Sequence, residues 1–201
     1  MGANRFVSFF VNTAKRVSDL LGDREEPVDG LLWEPGPRWM VFPHTGTSWT
    51  NTRSAAGDYR LARTSAGAET HRLALPLSAL CRRAAVAGLK VLNLVVAYSV
   101  TVANATSVDA ALNRAVYADR VAPAVAAYGG TGVYDATHDT AAERASATAG
   151  NNPHLLTLTL PDPQYQDNDT AALTCELTVV IPNTCVFTLY GGGFRAAHNY
   201  L

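Results

Sequence analysis

Long runs in which every second residue is apolar constrain this chain more than any other feature. In "ALTCELTVVIPNTCVFTLYGGG", residues 172–193, Leu173, Cys175, Leu177, Val179 and Ile181 alternate with Thr174, Glu176, Thr178 and Val180. Period two places the two sets on opposite faces of an extended strand, one for a core and one for solvent or a partner. Pro182-Asn183-Thr184 then turns the chain, and Cys185, Phe187 and Leu189 return inward. In "GLKVLNLVVAYSVTVAN" the same alternation sets Leu92, Leu94, Val96, Tyr98, Val100 and Val102 on one face. Its β-branched content favours strand over helix.

The rest of the chain follows suit. "DYRLARTSAGAETHRLALPL" reads as a hairpin, with Tyr59 and Leu61 on one arm, Ser65-Ala66-Gly67 at the turn and Leu73, Leu75 and Leu77 on the other. Val108 to Tyr117 alternates Val108, Ala110 and Leu112 with Asp109 and Asn113, and is expected to run antiparallel to the strand before it. "HLLTLTLP" turns Leu156, Leu158 and Leu160 inward, while "DATHDTAAERASATAGNN" suits a loop or short helix. Three Trp and interrupting Pro in residues 31–49 suit edge strands and loops. Roughly seven or eight strands in about 170 residues predict an all-β, antiparallel two-sheet sandwich, jelly-roll-like, over residues 28–201.

Residues 1–27 differ in period and are expected to be a helical arm and linker. Phe6, Phe10, Ala14, Val17 and Leu21 recur at helical spacing, Phe9 widens that face, and Gly22 ends it before the connector "DREEPVDG". Phe6, Phe9, Phe10, Val17 and Leu21 are therefore candidate contacts of an assembly arm. Three uses are open: folding back onto its own domain, docking on a neighbouring subunit, or lying on a membrane. Three Phe with few basic residues disfavour the membrane.

Sixteen Lys+Arg against 17 Asp+Glu give a net charge of -1, and no electrostatic reason to expect nucleic acid as a partner. Only 16% of residues are charged, which suits a surface that meets other proteins. Cys81, Cys175 and Cys185 are odd in number and lack a C-x-x-C spacing, so buried, reduced thiols are expected. A hairpin turn at Pro182-Asn183 would set Cys185 near Val180 and Cys175 near Tyr190, too far apart for a bridge. No apolar run is long enough to span a bilayer, and "MGANRFVSFFVNTAKRV" lacks the order of a secretion signal. Phe6 stands where a myristoylation signal wants Ser or Thr, and the sequons at Asn104 and Asn168 are expected to be bare.

No motif brings chemistry together. His44, His71, His138, His154 and His198 are scattered, without H-E-x-x-H spacing. His138, Asp139 and Glu143 could supply metal ligands from a short helix, but a polar loop explains them as well and is the favoured reading. No nucleophile elbow, phosphate loop or dinucleotide fingerprint occurs. Asp162, Asp167, Asn168 and Asp169 offer oxygens of the kind calcium takes, in a pattern that a tight turn also needs. No catalytic, cofactor or metal residue is assigned, and the protein is expected not to be an enzyme. Trp33, Trp39 and Trp49 are candidate surface or interface aromatics; they could cap one end of the core, anchor an interface or form a platform for stacking sugars, the first two being favoured.

Over residues 70–201, "HRLALPLSAL", "GLKVLNLVVAYSVTVANATSVDAALNRAVYAD" and "HLLTLTLPDPQYQDNDTAALTCELTVVIPNTCVFTLYGGGFRAAHNYL" resemble bacteriophage virion structural proteins of the jelly-roll type. The likeness lies in the order of a Leu-Pro-Leu step, a long Val-rich strand and a Thr-rich strand. It implies a self-assembling capsid, decoration or fibre subunit without catalytic residues or cofactor. Its partners would be itself, as a homo-oligomer, and other virion proteins, and it would be assembled in the host cytoplasm into the virion. The alternative is a carbohydrate-binding β-sandwich of tail-fibre or receptor-binding type. There the three Trp would stack on sugar and the Asp162–Asp169 loop would hold Ca²⁺.

Overall fold

A computed structural model describes residues 25–27, 32–42, 49–64, 69–76, 89–116, 124–148, 152–163, 165–166, 171–182 and 184–199. The expected helix over residues 5–21, with Phe6, Phe9, Phe10, Val17 and Leu21, lies outside them, as do Cys81 and most of the Asp162–Asp169 loop. The described strands are β1 (Glu25–Pro27), β2 (Leu32–Pro35), β3 (Met40–Phe42), β4 (Trp49–Arg53), β5 (Tyr59–Thr64), β6 (Glu69–Pro76) and β7 (Leu89–Thr101). They continue with β8 (Ser107–Val116), β9 (Ala124–Ala127), β10 (Val133–Tyr134), β11 (His154–Thr159), β12 (Tyr165–Gln166), β13 (Ala171–Ile181) and β14 (Val186–Asn199). One short helix, α1 (Ala141–Arg144), precedes β11, held by a capping box between Thr140 and Glu143.

The strands form an antiparallel two-sheet sandwich. The larger sheet runs β10-β11-β7-β14-β5-β4, with β1 and β2 also pairing with β14 and β12 with β7. The smaller runs β3-β6-β13-β8-β9. From the larger sheet Leu94, Val96, Tyr98, Val100, Leu156, Phe187, Leu189 and Phe194 point into the shared core. The smaller sheet answers with Leu73, Val108, Leu173, Cys175, Leu177, Val179 and Ile181. Each such side chain stabilises the fold by about 1.5–3 kcal/mol relative to exposure.

Alternation identified most of the buried faces but not the pairings, and Tyr59, set on one side with buried Leu61, is 57% exposed. The three expected antiparallel neighbours, β5 with β6, β7 with β8 and β13 with β14, lie in opposite sheets. Their connections cross from one layer to the other. An inward-facing pattern reports only that a strand covers a core, and two facing sheets satisfy it as well as one hairpin does. Cys175 and Cys185 are both buried and free, and they enter the core from opposite sides of the Pro182 corner.

Two irregularities also shift the expected faces. Opposite Arg195 and Ala196 the register of β7 slips, so Val91 is buried and Leu92 is the extra, half-exposed residue. Val102 lies beyond the end of β7, is 80% exposed and takes a φ of 73°, where a β-branched residue is strained. A second slip between Leu189 and Gly191 makes Tyr190 the bulged residue and moves the inward phase of β14 from odd to even positions, ending in Phe194 and Ala196.

Candidate functional site

That bulge opens a run of three glycines in the middle of the larger sheet. Gly193 lies directly between Trp33 of β2 and Val95 of β7, and Gly191 between Pro35 and Ala97. Directly opposed residues share a face. Val95 and Ala97 in turn oppose Thr157 and Leu155 of β11. The outer face of this sheet thus carries a row Trp33-Gly193-Val95-Thr157 and a second row Pro35-Gly191-Ala97-Leu155. A third row, Thr50-Ala62-Thr188-Ser99, lies beyond the bulge. None of these side chains is ionisable.

The glycines are needed for space. At Gly191 a Cβ would come within 2.8 Å of Trp33 Nε1 and 2.5 Å of the Glu34 carbonyl, with φ at +153°. At Gly192 it would come within 2.6 Å of Trp39 Cζ2, on the core side. Two indoles therefore press on one strand from opposite faces. Trp33, outside, remains 40% exposed. Beside it Tyr190 donates its hydroxyl to Ser99 Oγ at 3.2 Å, and the Arg60 guanidinium sits 4.9 Å from the Tyr190 ring centroid.

The three tryptophans do not share one surface. Trp39 is 4% exposed and belongs to the core, so its assignment as a surface or interface aromatic is corrected. The reason is its place just after the Gly36–Arg38 turn, which folds it beneath β14. Trp49 is half-buried, edge-on to Phe187 at 6.2 Å, and donates Nε1–H to His71 Nδ1 at 3.2 Å. Only Trp33 faces outward in the way a ligand platform requires.

Two polar clusters surround buried histidines. In the first, Arg63, wholly buried, donates to Glu69 Oε2 at 2.6 Å, and His71 Nε2 lies 2.9 Å from the same oxygen. That second distance is an electrostatic contact and not a well-aligned hydrogen bond. Burial, then the Arg63 charge, holds the His71 pKa below the usual imidazole value. In the second cluster His138 and His154 are 3% and 1% exposed. His138 does not join Asp139 and Glu143: its ring bonds to Asp135 and His154, while Glu143 accepts from Thr140 to cap α1. Among the described residues no group of three or more His, Cys, Asp or Glu is arranged to hold a metal. Asp135, Tyr98 and Arg144, which build this cluster, had no motif to announce them beyond the short Asp135–His138 spacing.

No protein-family model and no curated protein matches the chain. Solved structures similar to it include TmCBM61 in complex with β-1,4-galactotriose, at 9% identity over 78% of this chain and 86% of that one, TM-score 0.41. A second comes from work on carbohydrate-binding modules of the β-sandwich superfamily, at 16% identity over 87% of this chain and 62% of that one, TM-score 0.40. A third, CsCBM6-3 from Clostridium stercorarium in complex with cellobiose, is 7% identical over 81% of this chain and 91% of that one, TM-score 0.35. All three are carbohydrate-binding modules and none is a virion component, so the capsid or decoration-subunit reading of residues 70–201 is corrected. At these TM-scores they transfer no ligand to this chain.

Proposed function

We propose that the chain is a jelly-roll carbohydrate-binding module that acts by binding and not by catalysis, with the outer face of the larger sheet as its platform. The strand orders support the jelly roll: β5-β14-β7-β11 in one sheet faces β6-β13-β8-β9 in the other, each late strand between two earlier ones. The observation that carries the binding reading is the Trp33 indole, part-exposed and seated on glycine backbone, on the same sheet face as Thr50, Thr157 and Thr188. A pyranose has an apolar face of C–H groups and a rim of hydroxyls. An uncharged strip with one indole and several hydroxyls matches both, and repels no neutral sugar.

A glycan array and affinity electrophoresis on neutral polysaccharides test this. Covering about 80 Å² of indole at about 25 cal/mol per Å² is worth about 2 kcal/mol, so Trp33→Ala is expected to weaken binding about 30-fold. Near-UV circular dichroism controls for folding. No retention of the folded wild-type chain on any neutral glycan ends the proposal, as does full binding by folded W33A.

A further inference from the structure

The His138–His154 pair sits where α1 and its flanking turns close over the sandwich. Asp135 anchors it: Oδ1 accepts from the Thr137 N–H at 3.1 Å and from its hydroxyl at 2.6 Å, and Oδ2 accepts from the Thr157 N–H at 2.7 Å. His138 Nδ1 lies 2.8 Å from the same Oδ1. His138 Nε2 faces His154 Nδ1 at 3.2 Å, and His154 Nε2 faces the Ser146 carbonyl oxygen at 2.9 Å.

The protons in this chain can be counted. A carbonyl oxygen only accepts, so His154 Nε2 carries a hydrogen. Burial works against the Asp135 charge, but the Thr137, Thr157 and His138 contacts outweigh it and hold the carboxyl at about 2. A carboxylate only accepts, so His138 Nδ1 carries a hydrogen as well. The Thr137 hydroxyl, 3.1 Å from that nitrogen, already gives its proton to Asp135. Between the rings one nitrogen donates and the other accepts, which takes one more. Three protons occupy four ring nitrogens, whereas two neutral imidazoles hold two.

Among the described residues the surrounding polar groups are engaged elsewhere. Arg144 turns its guanidinium on the carbonyls of Val108, His138 and Asp139, on the Asp109 carboxylate, and over the Tyr134 ring at 4.0 Å. Tyr134 exchanges hydrogen bonds with Ala110, and Glu143 is engaged by Thr140. Tyr98 stacks on His154 at 4.6 Å and donates its hydroxyl, pushed up by burial, to the Arg144 carbonyl.

We propose that His138 and His154 share three ring protons at neutral pH, one imidazolium charge spread over the pair and neutralised by Asp135, and that this charge latches residues 135–148 to the sandwich. Removing one proton leaves one of the three contacts, to Asp135, between the rings or to Ser146, without its hydrogen; adding one sets two cationic N–H groups against each other across 3.2 Å. Either change breaks one link of the chain from Asp135 to Ser146, so the latch loosens on both sides of neutrality.

The test uses the full chain labelled with ¹⁵N-histidine. At pH 7.5, above the ordinary imidazole value of about 6.5, long-range proton–nitrogen spectra are expected to show three protonated nitrogens and one bare one for these two rings. A count of two or of four overturns the proposal. Asp135→Asn is expected to lower the count to two; a folded variant that keeps three also overturns it. Should that variant fail to fold, the wild type still decides. Amide exchange over residues 135–148 is expected to accelerate at the pH where the count drops to two and again where it rises to four. Protection that persists through both steps overturns the latch.

Discussion

The two buried histidine clusters stand at the ends of one aromatic row and solve the same problem differently. From His154 the row passes through Tyr98, stacked at 4.6 Å, to Phe187 at 5.3 Å, then to Trp49 and His71 at 6.2 and 5.4 Å. At the His71 end an indole N–H supplies the donor, so a neutral imidazole with hydrogen on Nε2 suits both neighbours and the charge falls to Arg63 and Glu69. At the His154 end acceptors stand at both extremities, a carboxylate and a carbonyl, and a neutral pair leaves one contact without its proton. What surrounds a ring, more than how deeply it is buried, decides whether it tolerates neutrality.

The largest break in this comparison is expected from the two carboxylates. Asp135→Asn removes the only anion bonded to the His138–His154 pair among the described residues and should cost about 3 kcal/mol by urea unfolding at pH 7. Glu69→Gln should cost less, about 1–2 kcal/mol, because Glu69 is half exposed and water screens the change. Equal losses would mean that the two clusters do not differ as described.

Acid titration sharpens the contrast. Asp135, held at about 2 against a usual value of 3.8, adds stability above pH 3.8 that disappears as pH falls toward 2, about 2 kcal/mol in all. Unfolding midpoints of wild type and D135N should therefore converge near pH 2. His71 has a lowered value, burial being the main cause. For such a group the unfolded chain takes up protons first, so His71 costs stability as pH falls below about 6.5 and nothing above it. His71→Gln should flatten the profile between pH 7 and 5; a profile as steep as that of the wild type would contradict a neutral His71.

The smallest effect is expected at Trp49→Phe, which keeps the ring against Phe187 but removes the N–H donated to His71. A cost of about 1 kcal/mol is expected by thermal unfolding, with the His71 Nδ1 nitrogen signal moving as it loses its donor. An unchanged signal would remove the basis for the His71 tautomer.

Much of this molecule was legible in the alternation of β13 and β14, which correctly named Leu173 through Ile181, Phe187 and Leu189 as buried. The crossings were not, because no local signal separates a hairpin from a step between layers at Ser65–Gly67 or Pro182–Thr184. Leu92 was misplaced by a bulge whose cause, the paired slip at Arg195 and Ala196, lies a hundred residues downstream. Trp33 and Trp39 stand six positions apart with similar neighbours, yet the turn at Gly36–Arg38 sends them to opposite faces of one strand. His138 was weighed with Asp139 and Glu143 because they adjoin it, while its ring partner His154 is brought in by the fold.

The strand order carries a consequence for biosynthesis. β13 and β14 occupy the middle of the two sheets, although they follow all the other described strands along the chain. During vectorial synthesis β5 and β7, like β6 and β8, emerge with a vacant lane between them, and neither layer closes until its keystone arrives. Such a chain offers raw, adhesive strand borders to its neighbours until β13 and β14 emerge, and is expected to gain order in one step once they do.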